Sequence, residues 1–320
     1  MELERLKKWE HQLNACIRCG YCYEFCPVYR STRWETDSPR GKLILISGLL
    51  HGEIEATSET TDKIFSCFYC KQCEGVCSSG IPFTEILSDT RADLLDLGVV
   101  PTGTISYNES PHCAMCLGCV RACPHEARVL EGNRVVIDPT ACQSCGICLD
   151  VCPGINTRLG KGFDAGPEML QKQAAEFLSA PENPAAKAIV FACNWSNVPG
   201  LETARLDATV QQPDPEYKVL VTACAGRLPA KVMLDALEHN AWGVLVNGCP
   251  EDECEHHGSH EAAKRVAAVQ RLLGEVGATP RRVQYMELSK GDPLAFERKV
   301  TEFMDEIRKL GPPFQRGDQP

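Results

Sequence analysis

The sequence lacks any long apolar run. Its longest candidate, Leu43–Leu50, falls far short of the roughly 18 residues that cross a bilayer, so no membrane span is expected. The chain opens MELERLKKWEHQLNAC, without the apolar centre of a secretory signal, and a cytoplasmic location is expected. Basic runs are missing too. With a formal net charge of −10, that argues against a nucleic-acid partner. No glycine-rich dinucleotide fingerprint follows a strand-like segment, no Walker loop is present, and no serine, histidine and aspartate are arrayed for acyl transfer. No residue is therefore expected to be catalytic. Chemistry on a substrate would belong to a separate polypeptide.

What the chain has in excess is cysteine, 20 in 320 residues. A reducing compartment keeps thiols free, so cysteine at this density points to metal rather than disulfides. Hydrophobic content of 43% and charged content of 24% are ordinary for a globular protein, and the length allows two or three domains.

One cysteine spacing recurs four times in the first half. The copies are Cys16-x2-Cys19-x2-Cys22-x3-Cys26-Pro27, Cys67-x2-Cys70-x2-Cys73-x3-Cys77, Cys113-x2-Cys116-x2-Cys119-x3-Cys123-Pro124 and Cys142-x2-Cys145-x2-Cys148-x3-Cys152-Pro153. This is the two-cluster ferredoxin run, in which three closely spaced thiolates wrap one [4Fe–4S] cube and the fourth ligates its neighbour. Four [4Fe–4S] clusters are expected. Cys16, Cys19, Cys22 and Cys77 form one ligand set, and Cys67, Cys70, Cys73 and Cys26 the next. Cys113, Cys116, Cys119 and Cys152 form a third, and Cys142, Cys145, Cys148 and Cys123 the last. In the second copy Ser78 stands where the others have proline. Structural zinc, the alternative, uses separated Cys-x2-4-Cys pairs rather than three ligands at equal steps.

The spacing between copies differs. Val129–Asp138, between the third and fourth, predicts a hairpin turning at Gly132-Asn133 within a compact ferredoxin layout. Between the first and second, Ser38–Gly52 predicts a helix with Ser38 as N-cap and Pro39 in its first turn. Thr84–Gly98 predicts another after the second. From about Gly154 the pattern changes. A helical segment (Glu168–Leu178) and the proline-rich Ala180–Ala186 precede four apolar runs, Ala188–Cys193, Lys218–Cys224, Gly243–Cys249 and Val283–Leu288. Helical patterns over Pro229–Asn240, Ser259–Val276 and Asp292–Leu310 separate or follow them. Strands alternating with helices predict a parallel sheet covered on both faces.

The expected fold is multidomain. A helical two-cluster module (1–100) leads through Pro101-Thr-Gly103 into an α+β bacterial-type ferredoxin (101–160). A linker (161–186), an α/β parallel-sheet domain (187–310) and a flexible tail (311–320) follow.

Sixteen of the cysteines belong to the four copies; Cys193, Cys224, Cys249 and Cys254 remain. Three of these end predicted strands and the last follows closely. The carboxyl ends of parallel strands share one edge, so the four thiols are expected to gather there and to suffice for one [2Fe–2S] cluster. Free buried thiols and a zinc site meet the same pattern. His256, His257 and His260 stand nearby, open to a mixed Cys/His site but read first as solvated. Arg18, Arg40 and Arg121 beside the motifs read either as surface charge or as groups that raise reduction potentials. Trp195 and Trp242 read as packing, and His51, His112 and His125 have no evident partner.

The stretches CIRCGYCYEFCPVYR, DSPRGKLILI and CFYCKQCEGVCSSGIP resemble the HdrC component of heterodisulfide reductase and glycolate oxidase iron–sulfur subunits. CAMCLGCVRACP and IDPTACQSCGICLDVCP are similar to two-cluster ferredoxins in general. FACNWS through VLVNGCPEDEC resembles the delta subunit of methyl viologen-reducing hydrogenase (MvhD), a family with a [2Fe–2S] centre that docks on a heterodisulfide reductase flavoprotein. That family reads Cys-Asn-Trp-Cys where this chain has Ser196, but its other cysteines match Cys193, Cys224, Cys249 and Cys254.

The resemblances imply an electron-transfer subunit of an anaerobic, flavin-based electron-bifurcating oxidoreductase. Its partners would be an HdrA-like flavoprotein and a second redox protein of HdrB-like, hydrogenase, formate dehydrogenase, methylenetetrahydrofolate reductase or benzoyl-CoA reductase type. The alternatives are a stand-alone disulfide or thiol reductase with a catalytic cluster, and a redox sensor or scaffold with a metal-free C-terminal domain.

Overall fold

The helix Pro39–Leu50 begins where its sequence dictates. The Gly41 amide donates to the Ser38 hydroxyl at 2.9 Å, Pro39 fills the first turn, and Gly52 past the end takes φ +69°. In this computed structural model residues 3–67, 69–101, 106–108, 113–152, 157–159, 167–179, 187–193, 216–222, 224–289 and 293–313 are described. Contacts divide the chain into two compact units, Met1–Asp164 and Ala165–Pro320.

In the first unit the helices Pro39–Leu50, Ser58–Phe65 and Phe83–Asp96 enclose one apolar core. Ile46, Ile64, Phe65, Ile86, Leu87 and Leu94 are fully buried in it. The short helix Glu4–Lys7 is tied to this core by one carboxylate: the backbone amides of Arg5 and Leu6 donate to Asp93 at 3.3 and 3.0 Å. Asp93 is itself buried. Replacing it with alanine should cost roughly 2 kcal/mol through those two charge-assisted bonds. The exposed Arg5 side chain adds little. A lowered denaturant midpoint would show this, and an unchanged midpoint would mean that the N-terminal helix is not held there.

Further along the same unit, Arg128–Glu131 and Arg134–Ile137 pair antiparallel with Glu131 opposite Arg134, which is the expected hairpin. Ser106–Asn108 pairs antiparallel with Thr157–Leu159, and the one-turn helices Gly118–Arg121 and Ile147–Asp150 pack together.

The second unit is built on a four-stranded, wholly parallel sheet. Its strand order is Tyr217–Thr222, Ala188–Cys193, Gly243–Gly248, Val283–Glu287. Successive residues of Ala188–Cys193 point to opposite faces. Ile189, Phe191 and Cys193 join a core with the helices Ala230–Glu238 and Gly258–Glu275, while Ala188, Val190 and Ala192 pack with Pro293–Leu310. Helices therefore cover both faces. Trp242 packs at the second face, as expected.

Three details differ from the sequence reading. The helical segment expected over Glu168–Leu178 is the helix Pro167–Ser179, but it is not loose linker, because its Leu170 and Ala174 enter the first sheet core. The start of the tail is pinned, because the Arg282 guanidinium donates to the carbonyls of Gly311 at 2.8 Å and Pro312 at 3.0 Å. His51 and His125 do have partners, His51 through the Ser47 carbonyl at 2.8 Å from its Nδ1. The expected connections Thr102-Gly103 and Ala180–Ala186, together with His112, Pro153, Trp195, Ser196 and 314–320, lie outside the described residues. No helix among the described residues is long and apolar enough to cross a membrane.

Candidate iron–sulfur sites

All four cysteine copies share one backbone device. The residues immediately before and after each second cysteine are left-handed: Arg18 and Gly20, Tyr69 and Lys71, Met115 and Leu117, Ser144 and Gly146. Six of these eight are not glycine, and each such residue costs about 1–2 kcal/mol in that conformation. A strain repeated at the same place in four loops marks function rather than accident. Alternating the backbone hand turns successive amides toward one side, forming a concave nest for an anionic group, as at many iron–sulfur sites.

Beside these loops lie three cavities. Cys16, Cys19, Cys22 and Cys77 line the first, together with Arg18 and Arg40. Cys26, Cys67, Cys70 and Cys73 line the second, with Lys42. Pro39, Cys73 and Phe83 form walls of both, so the two cavities adjoin. Cys123, Cys142, Cys145 and Cys148 line the third, with His125 and Arg128. Each lining brings three cysteines of one motif copy beside a cysteine of its partner copy, and the first also includes Cys73. Of the remaining quartet, Cys113, Cys116 and Cys119 sit on their nest, where Gly118 approaches Val151; Cys152 follows the facing one-turn helix.

The electrostatics fit a cationic iron group held by thiolates. Burial pushes Cys22 up to about 11 and Cys145 to about 12, and it raises Cys26 and Cys73. Thiolates in such places need positive charge beside them. Backbone amides help: Tyr69 N–H donates to Cys67 Sγ at 3.4 Å and Ile81 N–H to Cys77 Sγ at 3.5 Å. Lys42, almost fully buried, donates from Nζ to the Asp37 carbonyl at 2.5 Å. Burial lowers its pKa, while Cys26, Cys67 and Asp37 oppose that shift. Arg40 donates to the Arg18 carbonyl at 2.8 Å and Arg121 to that of Cys116 at 3.0 Å, so both brace cysteine loops. The sequence reading named these arginines but missed Lys42. A cationic residue at a core-facing helical position was the only signal.

In the second unit, Cys193, Cys224 and Cys249 stand at or just past the carboxyl ends of three adjacent strands, and all four thiols are buried. Cys249 hydrogen-bonds with Cys193 and Cys254, and these contacts hold its own pKa far up. The same bond from Cys249 lowers the pKa of Cys254. Ser259, at the start of the helix Gly258–Glu275, braces the group. Its amide donates to Cys254 Sγ at 3.5 Å and its hydroxyl to the Cys249 carbonyl at 2.5 Å. Cys224 Sγ lies against Gly258. Of the histidines, His257 and His260 are exposed, whereas His256 is 4% exposed, which corrects the expectation of three solvated rings. Among the described residues no three His, Cys, Asp or Glu side chains close around a single-ion position.

Comparisons with known proteins divide along the same lines. A family model described as methyl-viologen-reducing hydrogenase, delta subunit, matches residues 188–311, and two models described as 4Fe-4S dicluster domains match 12–81 and 104–153. The D-type iron-sulfur subunit of the F420-non-reducing hydrogenase of Archaeoglobus profundus is 34% identical over 125 residues, covering 39% of this chain and 90% of that protein. The A-type subunit of the ferredoxin:CoB-CoM heterodisulfide reductase of Methanosarcina mazei is 28% identical over 210 residues, 55% of this chain but 25% of its own length. The glycolate oxidase iron-sulfur subunit of Escherichia coli is 37% identical over 84 residues, 26% of this chain and 20% of its own. The chain thus spans a quarter or less of the latter two.

Proposed function

We propose, from the premise that the chain belongs to the methyl-viologen-reducing hydrogenase delta-subunit family through residues 188–311, that it is an iron–sulfur relay within a larger oxidoreductase. The relay would hold four [4Fe–4S] clusters in the first unit and one [2Fe–2S] cluster at the sheet edge of the second. Such clusters supply one-electron chemistry, with potentials set by charge, burial and hydrogen bonds to sulfur. The chain's residues do the rest. Twenty thiols ligate, the left-handed nests point amides at the sulfurs, and buried cations offset the negative charge.

The observation that carries this reading is the collection of complete cysteine quartets, across two motif copies each, around three cavities. An HdrA-like flavoprotein is the proposed electron partner, because the proteins this chain resembles are subunits of heterodisulfide reductases and of hydrogenases. A second redox protein of hydrogenase or heterodisulfide reductase type completes the route, in a complex that bifurcates electrons at flavin. The reductase alternative finds no support in the second unit, because its four thiols are buried away from any disulfide substrate.

Anaerobic iron analysis tests the reading directly. Roughly 18 iron atoms per chain are expected, and Cys224→Ala should remove about two together with the binuclear EPR signal. A colourless or zinc-loaded protein refutes the cluster reading, and an unchanged binuclear signal refutes the ligand set. Anaerobic co-purification should bring a flavoprotein with the chain; its absence from the eluate would overturn the proposed partner.

A further inference from the structure

Arg91 lies on the helix Phe83–Asp96 and has no exposed surface. Its guanidinium is clamped between two rings, 4.7 Å from the centre of Phe65 and 4.6 Å from that of Tyr69. Nη2 donates to the carbonyls of Phe65 at 3.0 Å and Cys67 at 2.7 Å, while Nη1 reaches the Cys142 carbonyl at 3.4 Å. The Phe65 bond has an ordinary explanation, since it satisfies a carbonyl of the last turn of Ser58–Phe65. The other two do not follow from capping. Cys67 opens the second cysteine copy and lines the second cavity; Cys142 opens the fourth and lines the third. A single buried cation therefore joins a loop of the helical module to a loop of the ferredoxin part.

We infer that Arg91 is the positioning residue of the junction between the two cluster pairs. It holds the Cys26/Cys67/Cys70/Cys73 and Cys123/Cys142/Cys145/Cys148 sites adjacent and raises the reduction potentials of both. The inference rests on the reading that those quartets hold [4Fe–4S] clusters. Its physics is simple. A guanidinium keeps its charge in a protein, and burial beside two loops weakens the screening of that charge. Gaining an electron makes either site more negative, so a fixed positive charge favours the reduced side. No bond or proton moves; one electron leaves one site and arrives at the other. The two rings and the fork of donors fix the charge in place, which a flexible ammonium would not do as well.

The experiment is an EPR-monitored potentiometric titration of the full chain, purified without oxygen, with iron analysis of every sample. In Arg91→Met, two of the four cubane midpoints should fall and two should stay. At a fixed poise the reduced-to-oxidised ratio at the affected sites should drop about tenfold, or 59 mV for one electron. Arg91→Lys, titrated at mildly acidic pH so that the buried ammonium stays protonated, keeps the charge and should hold that ratio within about threefold of wild type. Four unchanged midpoints in iron-replete Arg91→Met overturn the inference. If Arg91→Met fails to take up iron, Arg91→Lys decides: a tenfold fall there refutes the role of charge, and a retained ratio supports it. Wild-type protein without cubane iron would instead refute the cluster reading, a result distinct from either.

Discussion

Gly41→Ala should lower the iron content from roughly 18 to roughly 10 atoms per chain, emptying the first two cavities. A methyl group on Gly41 would sit 1.9 Å from the Glu35 carbonyl oxygen, 2.6 Å from its carbon and 2.9 Å from Thr36 Cα. All three are backbone atoms, so no side chain can swing aside. The turn Glu35–Asp37 that must yield is the one the sites depend on. Its Glu35 carbonyl accepts from the Ser38 amide at 2.9 Å, and its Asp37 carbonyl accepts from Lys42 beside Cys26. Overpacking of this kind typically costs about 1–3 kcal/mol, and backbone against backbone belongs at the upper end. Gly75→Ala is the matched control, because a methyl there meets nothing within 4 Å on a short helix between Cys73 and Cys77. A Gly41→Ala protein with full iron and an unshifted melting temperature would mean that the turn is not part of the cluster scaffold.

The second large effect is expected from Gly258→Ala, which should abolish the binuclear EPR signal and remove about two iron atoms while sparing the rest. The added methyl would lie 2.3 Å from Cys224 Sγ and 3.0 Å from the Gly226 amide nitrogen. The facing position is equally tight, since a methyl on Gly226 would come 2.6 Å from Gly258 Cα. Two glycines back to back thus let the helix Gly258–Glu275 bring Ser259 against Cys249 and Cys254. Arg265 holds the arrangement by donating to the Gly226 carbonyl at 2.5 Å. Relief by retreat of the helix would withdraw Ser259 from both thiols; relief by rotation of Cys224 would remove its sulfur from the rim. Retention of the binuclear signal in Gly258→Ala would place the fourth thiol elsewhere. The two variants report on separate units, so each serves as the other's control.

Much of this was legible in sequence because it depends on local or periodic chemistry. Ser38 and Pro39 start their helix and Gly52 follows it, Gly132-Asn133 turns the hairpin, and Ala188–Cys193 is a strand over the very residues its apolar run spans. The left-handed nests were not legible. Arg18, Tyr69, Lys71, Met115, Leu117 and Ser144 carry no propensity for positive φ, and they adopt it where the cysteine loops wrap. His256 likewise reads as a surface residue from its polar neighbours, yet the fold buries it beside Cys254.

By itself the sequence determined which residues are candidates for the chemistry and which elements hold them, because thiol spacing along a chain limits what a loop can wrap and apolar period selects helix or strand. Tertiary structure decided what lies across from what. It put Arg91 between Cys67 and Cys142, Lys42 beside Cys26, and Gly226 against Gly258. Those pairings join residues far apart in the chain, and only the packing of whole elements brings them within bonding distance. The energy of a buried charge or a missing methyl exists only once its neighbours are in place.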